Sequence, residues 1–352
     1  MPFINEQQLK KQLSQGSFSK LYLIYGEEKY LVKHYTDTLV KKAVPRELAD
    51  FNLHIYEGSA GMDLLPVSEA VEALPVFSER TCILIKDMPL DSLLSGTAAA
   101  LEELISDIPE TTVLVISNPN TNINPKSKTA KKLIALISKY GDVAEFGRAS
   151  ISQLIKLLQR GASQRGCELG YSEASHLVSL AGDDMNDLLN ELEKVCAYKG
   201  NGTISKDDIE AVAVKNVQAR AFDLAKAVNS GNADAAMSLV NSLFIMKEDP
   251  IILLAALMTP YIDMYRVKVY TSGGLRASDA AADFNYRNKE FRLTNAARNA
   301  SGYTISQLRA FLEILERADY ALKNTSASAR MVIEKTVAYL ILAANGEEVC
   351  LE

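Results

Sequence analysis

Four residues stand where an alternating α/β chain would place a phosphate loop. Gly26, Glu27, Glu28 and Lys29 follow the apolar run Leu21 to Tyr25 and open a helical pattern. A P-loop is spaced G-x-x-x-x-G-K-[ST] because its glycines free backbone N–H groups for phosphates, its lysine reaches the outer phosphates, and its hydroxyl serves magnesium. Here a single glycine is followed by two carboxylates, which repel a triphosphate, and the pattern occurs nowhere else in the chain. The loop therefore points to binding or scaffolding over hydrolysis. The plainer alternative is an α/β domain that never held nucleotide.

Two other stretches invite a chemical reading. Leu74-Pro75-Val76-Phe77-Ser78-Glu79-Arg80 joins a helix to a strand and puts large apolar residues into a connection that is ordinarily polar. Such residues either fit a partner's pocket or fold back onto their own core. The basic run Lys126, Lys128, Lys131 and Lys132 could meet nucleic-acid phosphates, or form a solvated helix face.

No catalytic, cofactor or metal site is expected. The three histidines, His34, His54 and His176, fall in different elements without ligand spacing, and His54 reads as structural. Neither a G-x-S-x-G elbow nor a Cys/His pairing occurs. The acidic group Asp183, Asp184, Asp187, Glu191 and Glu193 reads as helix N-terminal charge and a solvated face. Cys82, Cys167, Cys196 and Cys350 are dispersed without a C-x-x-C, as reduced thiols would be. A net charge of -6 argues against bulk electrostatic coating of nucleic acid. The polar opening carries no signal peptide pattern, and the longest apolar run, Pro250 to Met258, falls short of a membrane span. A cytoplasmic protein without membrane contact is expected.

These residues need elements to hold them. Strands are expected at Leu21 to Tyr25, Phe51 to Tyr56, Thr81 to Lys86, Thr112 to Ile116 and Val143 to Phe146. Helices lie between them, from Glu28 to Ala43, Met62 to Leu74, up to Ile108, and Lys128 to Tyr140. That alternation predicts a five-stranded parallel sheet covered on both faces. From Ser150 onward only helices are expected, running to Ala344, with segments at Ser278 to Phe284 and Asn288 to Ala300 among them. Three domains follow: α/β at 1–147, a small helical domain at 148–215, and a helical block at 216–352.

At this point the residues carry a resemblance. LYLIYGEEKYLVKHY, ALPVFSERTCILIKDM, DDMNDLLNELEKVCAYKG and ADYALKNTSASARMVIEKTVAYLI together resemble the delta subunit of the bacterial DNA polymerase III clamp loader. The resemblance runs along nearly the whole chain. It implies an AAA+-type fold without a working P-loop, a lid-like middle domain, and a C-terminal collar in which Asp319, Lys323 and Glu334 match best. It implies a subunit that binds and opens the beta sliding clamp on primed DNA, beside tau/gamma motor subunits and delta-prime, without hydrolysing ATP itself. The clamp-binding positions it assigns are Leu74, Val76, Phe77 and Arg80, with Val76 standing where the family pattern has a leucine-like residue. Asp87 and Asn118 fall where a working ATPase has its magnesium carboxylate and its sensor, and read as relics. A degenerate nucleotide-dependent switch or a structural adaptor are the competing expectations.

Overall fold

Strand β1 (Leu21–Gly26) is apolar at every position up to Tyr25, and the structure buries both of its faces. In the computed structural model, which describes residues 3–284, 286, 291–347 and 349, β1 lies inside a five-stranded sheet. The other strands are β2 (Leu53–Glu57), β3 (Thr81–Lys86), β4 (Thr112–Ser117) and β5 (Asp142–Phe146), in the order β2-β3-β4-β1-β5. All pairings are parallel, with Leu23 beside Ile116 on one side and Val143 on the other.

Alternation along the strands divides the core into two layers. Leu21, Leu23, Ile83, Ile85, Leu114 and Ile116 meet the helices Leu65–Glu72, Ser95–Ser106 and Lys128–Tyr140. Tyr22, Ile24, Cys82, Leu84, Val113 and Val115 meet the helices Glu6–Gln15 and Lys29–Ala43. The expected parallel sheet covered on both faces is what forms. Each fully buried aliphatic side chain contributes roughly 1.5–3 kcal/mol. Two polar groups near the strand ends bond within the layers: Thr112 Oγ1 donates to Val71 O at 2.8 Å, and the Thr36 and Ser117 hydroxyls lie 2.6 Å apart, while the buried Thr81 hydroxyl has no partner among the described residues.

Three local features differ from expectation. The helix Glu6–Gln15 was not expected, because it buries only Leu9 and Leu13, too few apolar positions to show a period; an Asn5–Gln8 capping box starts it. Strand β2 begins at Leu53, since Ala49–Asn52 forms a helical turn that leaves Phe51 61% exposed and buries Asn52 completely. Beyond Ser150, where no strand was expected, β6 (Cys167–Leu169) and β7 (Gly202–Ile204) pair in parallel. Three residues per strand are too short for an alternating pattern to register.

The chain divides into two compact units, Met1–Ala149 and Ser150–Glu352. In the second, the helices Ile151–Gln164, Tyr171–Ala181, Met185–Lys199 and Lys206–Val212 surround the β6–β7 pair. Asn216 then caps the helix Val217–Asn229 and donates its backbone N–H to Leu180 O at 2.9 Å. The helices Ala233–Ile245, Pro250–Ser272, Phe291–Ala300, Ile305–Asn324 and Ala329–Ala344 share one apolar core with it. The expected helix from Ser278 is a 3-10 turn, Ala277–Asp279, followed by Ala280–Asp283. Positions 288–290 of the expected helix Asn288 to Ala300, and Cys350, lie outside the described residues.

The apolar run Pro250 to Met258 opens the helix Pro250–Ser272, expected to run from Pro250 to Tyr270, which by length and composition alone is long enough to cross a membrane. Instead it is the central helix of this core, burying Leu253, Leu254, Leu257, Tyr261, Met264 and Val267. Asp263 is buried with them and accepts from the Tyr286 hydroxyl at 2.6 Å and from Arg292 at 2.6 and 2.8 Å. A buried carboxylate survives only with such partners. Cys82, Cys167 and Cys196 are buried free thiols. Burial pushes Cys82 up to about 12 and, together with the neighbouring Cys167, Cys196 up to about 11, so both stay protonated near neutrality.

Candidate functional site

The connection from helix Leu65–Glu72 to β3 lies at the edge of the sheet where the parallel strands begin. Leu74 is 80% exposed and Phe77 92%, with Val76 at 40%. Phe77 also has φ +53, a left-handed conformation that a bulky residue adopts only under constraint. The constraint is one residue away. Asn52 accepts from the Val76 N–H at 2.7 Å through Oδ1 and donates through Nδ2 to Val76 O at 2.9 Å and Leu48 O at 3.0 Å. Arg80 lays its guanidinium 5.1 Å from the centre of the Phe18 ring, which ties the far end of the turn to the domain.

The opposite edge of the sheet carries the loops where a nucleotide would sit. Strands β1 and β4 are neighbours, and the helices that follow them, Lys29–Ala43 and Lys128–Tyr140, cover opposite faces. That divergence opens the crevice in which such folds bind ligands. Gly26 has φ +145, and a Cβ there would stand 2.1 Å from Phe146 O. The same carbonyl accepts the Glu28 N–H at 3.0 Å, and the Glu28 side chain is buried. The glycine therefore serves the close approach of β5, and a backbone donor that a phosphate would use is bonded within the protein.

The structure brings Lys29, Asp87 and Thr121 together in this crevice. Lys29 Nζ donates to Thr121 O at 3.2 Å; burial lowers its pKa from the ordinary value, and the Asp87 carboxylate opposes that shift. Asp87, at φ +54, accepts from the backbone N–H groups of Asn120 and Thr121 and from Asn120 Nδ2, each at 2.8 Å. Burial disfavours its charge, and these hydrogen bonds outweigh that penalty and hold the carboxyl below its ordinary value. Asn118 is fully buried and donates to Met88 O at 2.7 Å. Asp87 and Asn118 thus join the loops after β3 and β4, and Lys29 ties the start of the helix after β1 to the same place.

The four lysines do not converge. Ser127 caps helix Lys128–Tyr140, Lys132 pairs with Glu102 at 2.6 Å, and Lys131 lies on another side of the helix, lining a shallow cavity of about 330 Å³ with Tyr25 and Glu145. Lys126 and Lys128 are exposed.

Residues 22–139 match the family described as DNA polymerase III, delta subunit, and residues 218–340 match its C-terminal domain. The chain belongs to the DNA polymerase III delta subunit family. It is 22% identical over 334 residues to DNA polymerase III subunit delta of Bacillus subtilis, spanning 92% of this chain and 93% of that one. The solved structure of the Bacillus subtilis DNA clamp loader delta protein superposes with a TM-score of 0.59 at 22% identity, over 95% of this chain and 98% of that one. The first family match contains both the degenerate loop and the apolar turn.

Asn52 was missed in the sequence, where it reads as part of a strand. Its partner Val76 lies 24 positions away, beyond any local pattern. The signal that could have found it is the polar residue ending Ala49-Asp50-Phe51-Asn52, which fits a turn better than a strand. From the close approach at Gly26, Gly26→Ala is expected to destabilise the N-terminal unit by about 2–5 kcal/mol through strain and overpacking. Urea denaturation followed by circular dichroism measures this, and a loss under about 1 kcal/mol would contradict the role given to Phe146.

Proposed function

We propose that this chain is the delta subunit of a bacterial clamp loader, binding the beta sliding clamp and holding it open for placement on primed DNA. The single observation that carries this reading is Phe77, 92% exposed at the tip of a pinned turn with Leu74 beside it. An apolar pair displayed this way is unfavourable in water and becomes favourable only in a partner's cleft. Val76 and Phe77 are the wedge, flanked by Leu74 and Arg80.

The mechanism is population shift. A ring closed when free stays open only if its partner binds the open form better, and the shift cannot exceed that difference in affinity. ATP bound by tau/gamma motor subunits exposes the wedge, and hydrolysis on primed DNA withdraws it. Three domains serve this: 1–147 for the clamp, 148–215 as the lid, and 216–352 as a collar with the motor and delta-prime subunits. The subunit itself is non-catalytic and works in the bacterial cytoplasm. Lys126, Lys128, Lys131 and Lys132, which part to different sides of their segment, read as a solvated helix face, with contact to DNA phosphates within the assembled loader as the alternative.

Each part has its own test. Burial of an aromatic side chain contributes roughly 1.5–3 kcal/mol, so Phe77→Ala is expected to weaken binding to the organism's own sliding clamp roughly ten- to hundredfold, with Val76→Ala adding to the loss. Surface plasmon resonance with unchanged circular dichroism reads this; indifference to both changes supports the structural-adaptor reading. Calorimetric titration with magnesium-ATP is expected to give no saturable heat, and saturable magnesium-dependent binding would restore the nucleotide-switch reading. Replacing the four lysines with alanine is expected to leave the salt dependence of DNA binding by the assembled loader unchanged, as for a solvated face. A log–log slope flattened by roughly 0.9 for each phosphate no longer neutralised would place them at the interface.

A further inference from the structure

Asn52 is a fully buried polar residue placed between two exposed apolar ones, Phe51 on its own helical turn and Phe77 on the turn opposite. Its side-chain amide meets both backbone groups of one residue, receiving the Val76 N–H and donating to the Val76 carbonyl. Two bonds exchanged with a single residue are what a neighbouring antiparallel strand would offer. Here a side chain supplies them at a place where no strand lies. The remaining amide hydrogen goes to Leu48 O, which fixes the orientation of the amide plane.

We propose that Asn52 is the positioning residue of the apolar turn, holding Leu74 to Phe77 in the conformation that enters the clamp. The proposal rests on the clamp-binding reading of that turn. Only an amide of this length presents a donor and an acceptor to the two backbone groups of this one residue: aspartate lacks the donor, leucine lacks both, and glutamine is one methylene too long. Phe77, immediately after the anchored residue, holds φ +53, which an unanchored bulky residue leaves for the ordinary right-handed or extended regions. Without Asn52 the turn becomes an ensemble in which the wedge conformation is a fraction. The apparent dissociation constant then rises by the inverse of that fraction, although every side chain that touches the partner is still present.

This makes a kinetic signature distinct from that of the wedge. Asn52→Ala is expected to lower kon for the organism's sliding clamp about tenfold and to change koff less than about twofold, because the competent form binds as before. Phe77→Ala, which takes away part of the docked surface itself, is expected to raise koff. In hydrogen exchange on the full chain, the Val76 amide is expected to be protected in the wild type and to lose that protection in Asn52→Ala, while amides of β3 and β4 keep theirs. Should Asn52→Ala not fold, Asn52→Asp, of the same shape without the donor, is expected to show the same loss of kon. A variant at Asn52 that binds with wild-type kon overturns the proposal, and so does a loss of affinity carried by koff alone. A wild-type Val76 amide that exchanges at the open-chain rate overturns it without any variant. A Phe77→Ala chain that binds like wild type overturns the clamp reading instead, and the Val76 exchange rate then still decides whether Asn52 holds the turn.

Discussion

Burial of a parallel sheet on both faces is the constraint from which the N-terminal unit follows. With Leu23 and Ile24 on opposite sides of one strand and both fully buried, nothing functional can be placed on the faces. Only the strand ends remain. A parallel sheet has two unlike ends, one where all strands begin and one where all finish, and this chain has placed a different kind of chemistry at each.

Where the strands finish, the groups that a nucleotide would need are bonded to the protein. Lys29 reaches a carbonyl, Asp87 gathers backbone N–H groups, and the Glu28 N–H is taken by Phe146. A polar crevice whose groups are bonded in this way becomes a rivet between loops, since a ligand would have to displace a bond already made. Where the strands begin, the balance is reversed. The backbone of the 74–80 connection is anchored, and its largest side chains stay in water. Rigidity in the main chain with apolar exposure at the tip is the combination that lowers the entropic cost of docking.

The helical unit solves a different problem. Its central helix is apolar enough that composition alone would admit a membrane span, and the surrounding helices decide otherwise by packing against it. Asp263 shows what a polar group in that position requires: it is kept by the Tyr286 hydroxyl and the Arg292 guanidinium, both brought from far along the chain.

Much of this was legible without coordinates. Strand β3 and the helix Lys128–Tyr140 lie where periodicity put them, because each is a long apolar pattern with clear turn signals. The degenerate loop was legible because a phosphate loop is a local motif, and its absence is equally local. The helix Glu6–Gln15 and the β6–β7 pair were not, because two core residues or three-residue strands carry too little pattern. The sequence by itself determined which residues are apolar at which period, and hence the parallel sheet and the helical half. Only the tertiary structure decided that Phe77 stands in solvent and not on its own core, that Lys131 and Lys132 part to different sides of one helix, and that Asn52 reaches across to Val76. Each of these depends on which elements become neighbours in space, and a side chain's environment is set by those neighbours and not by its own spacing.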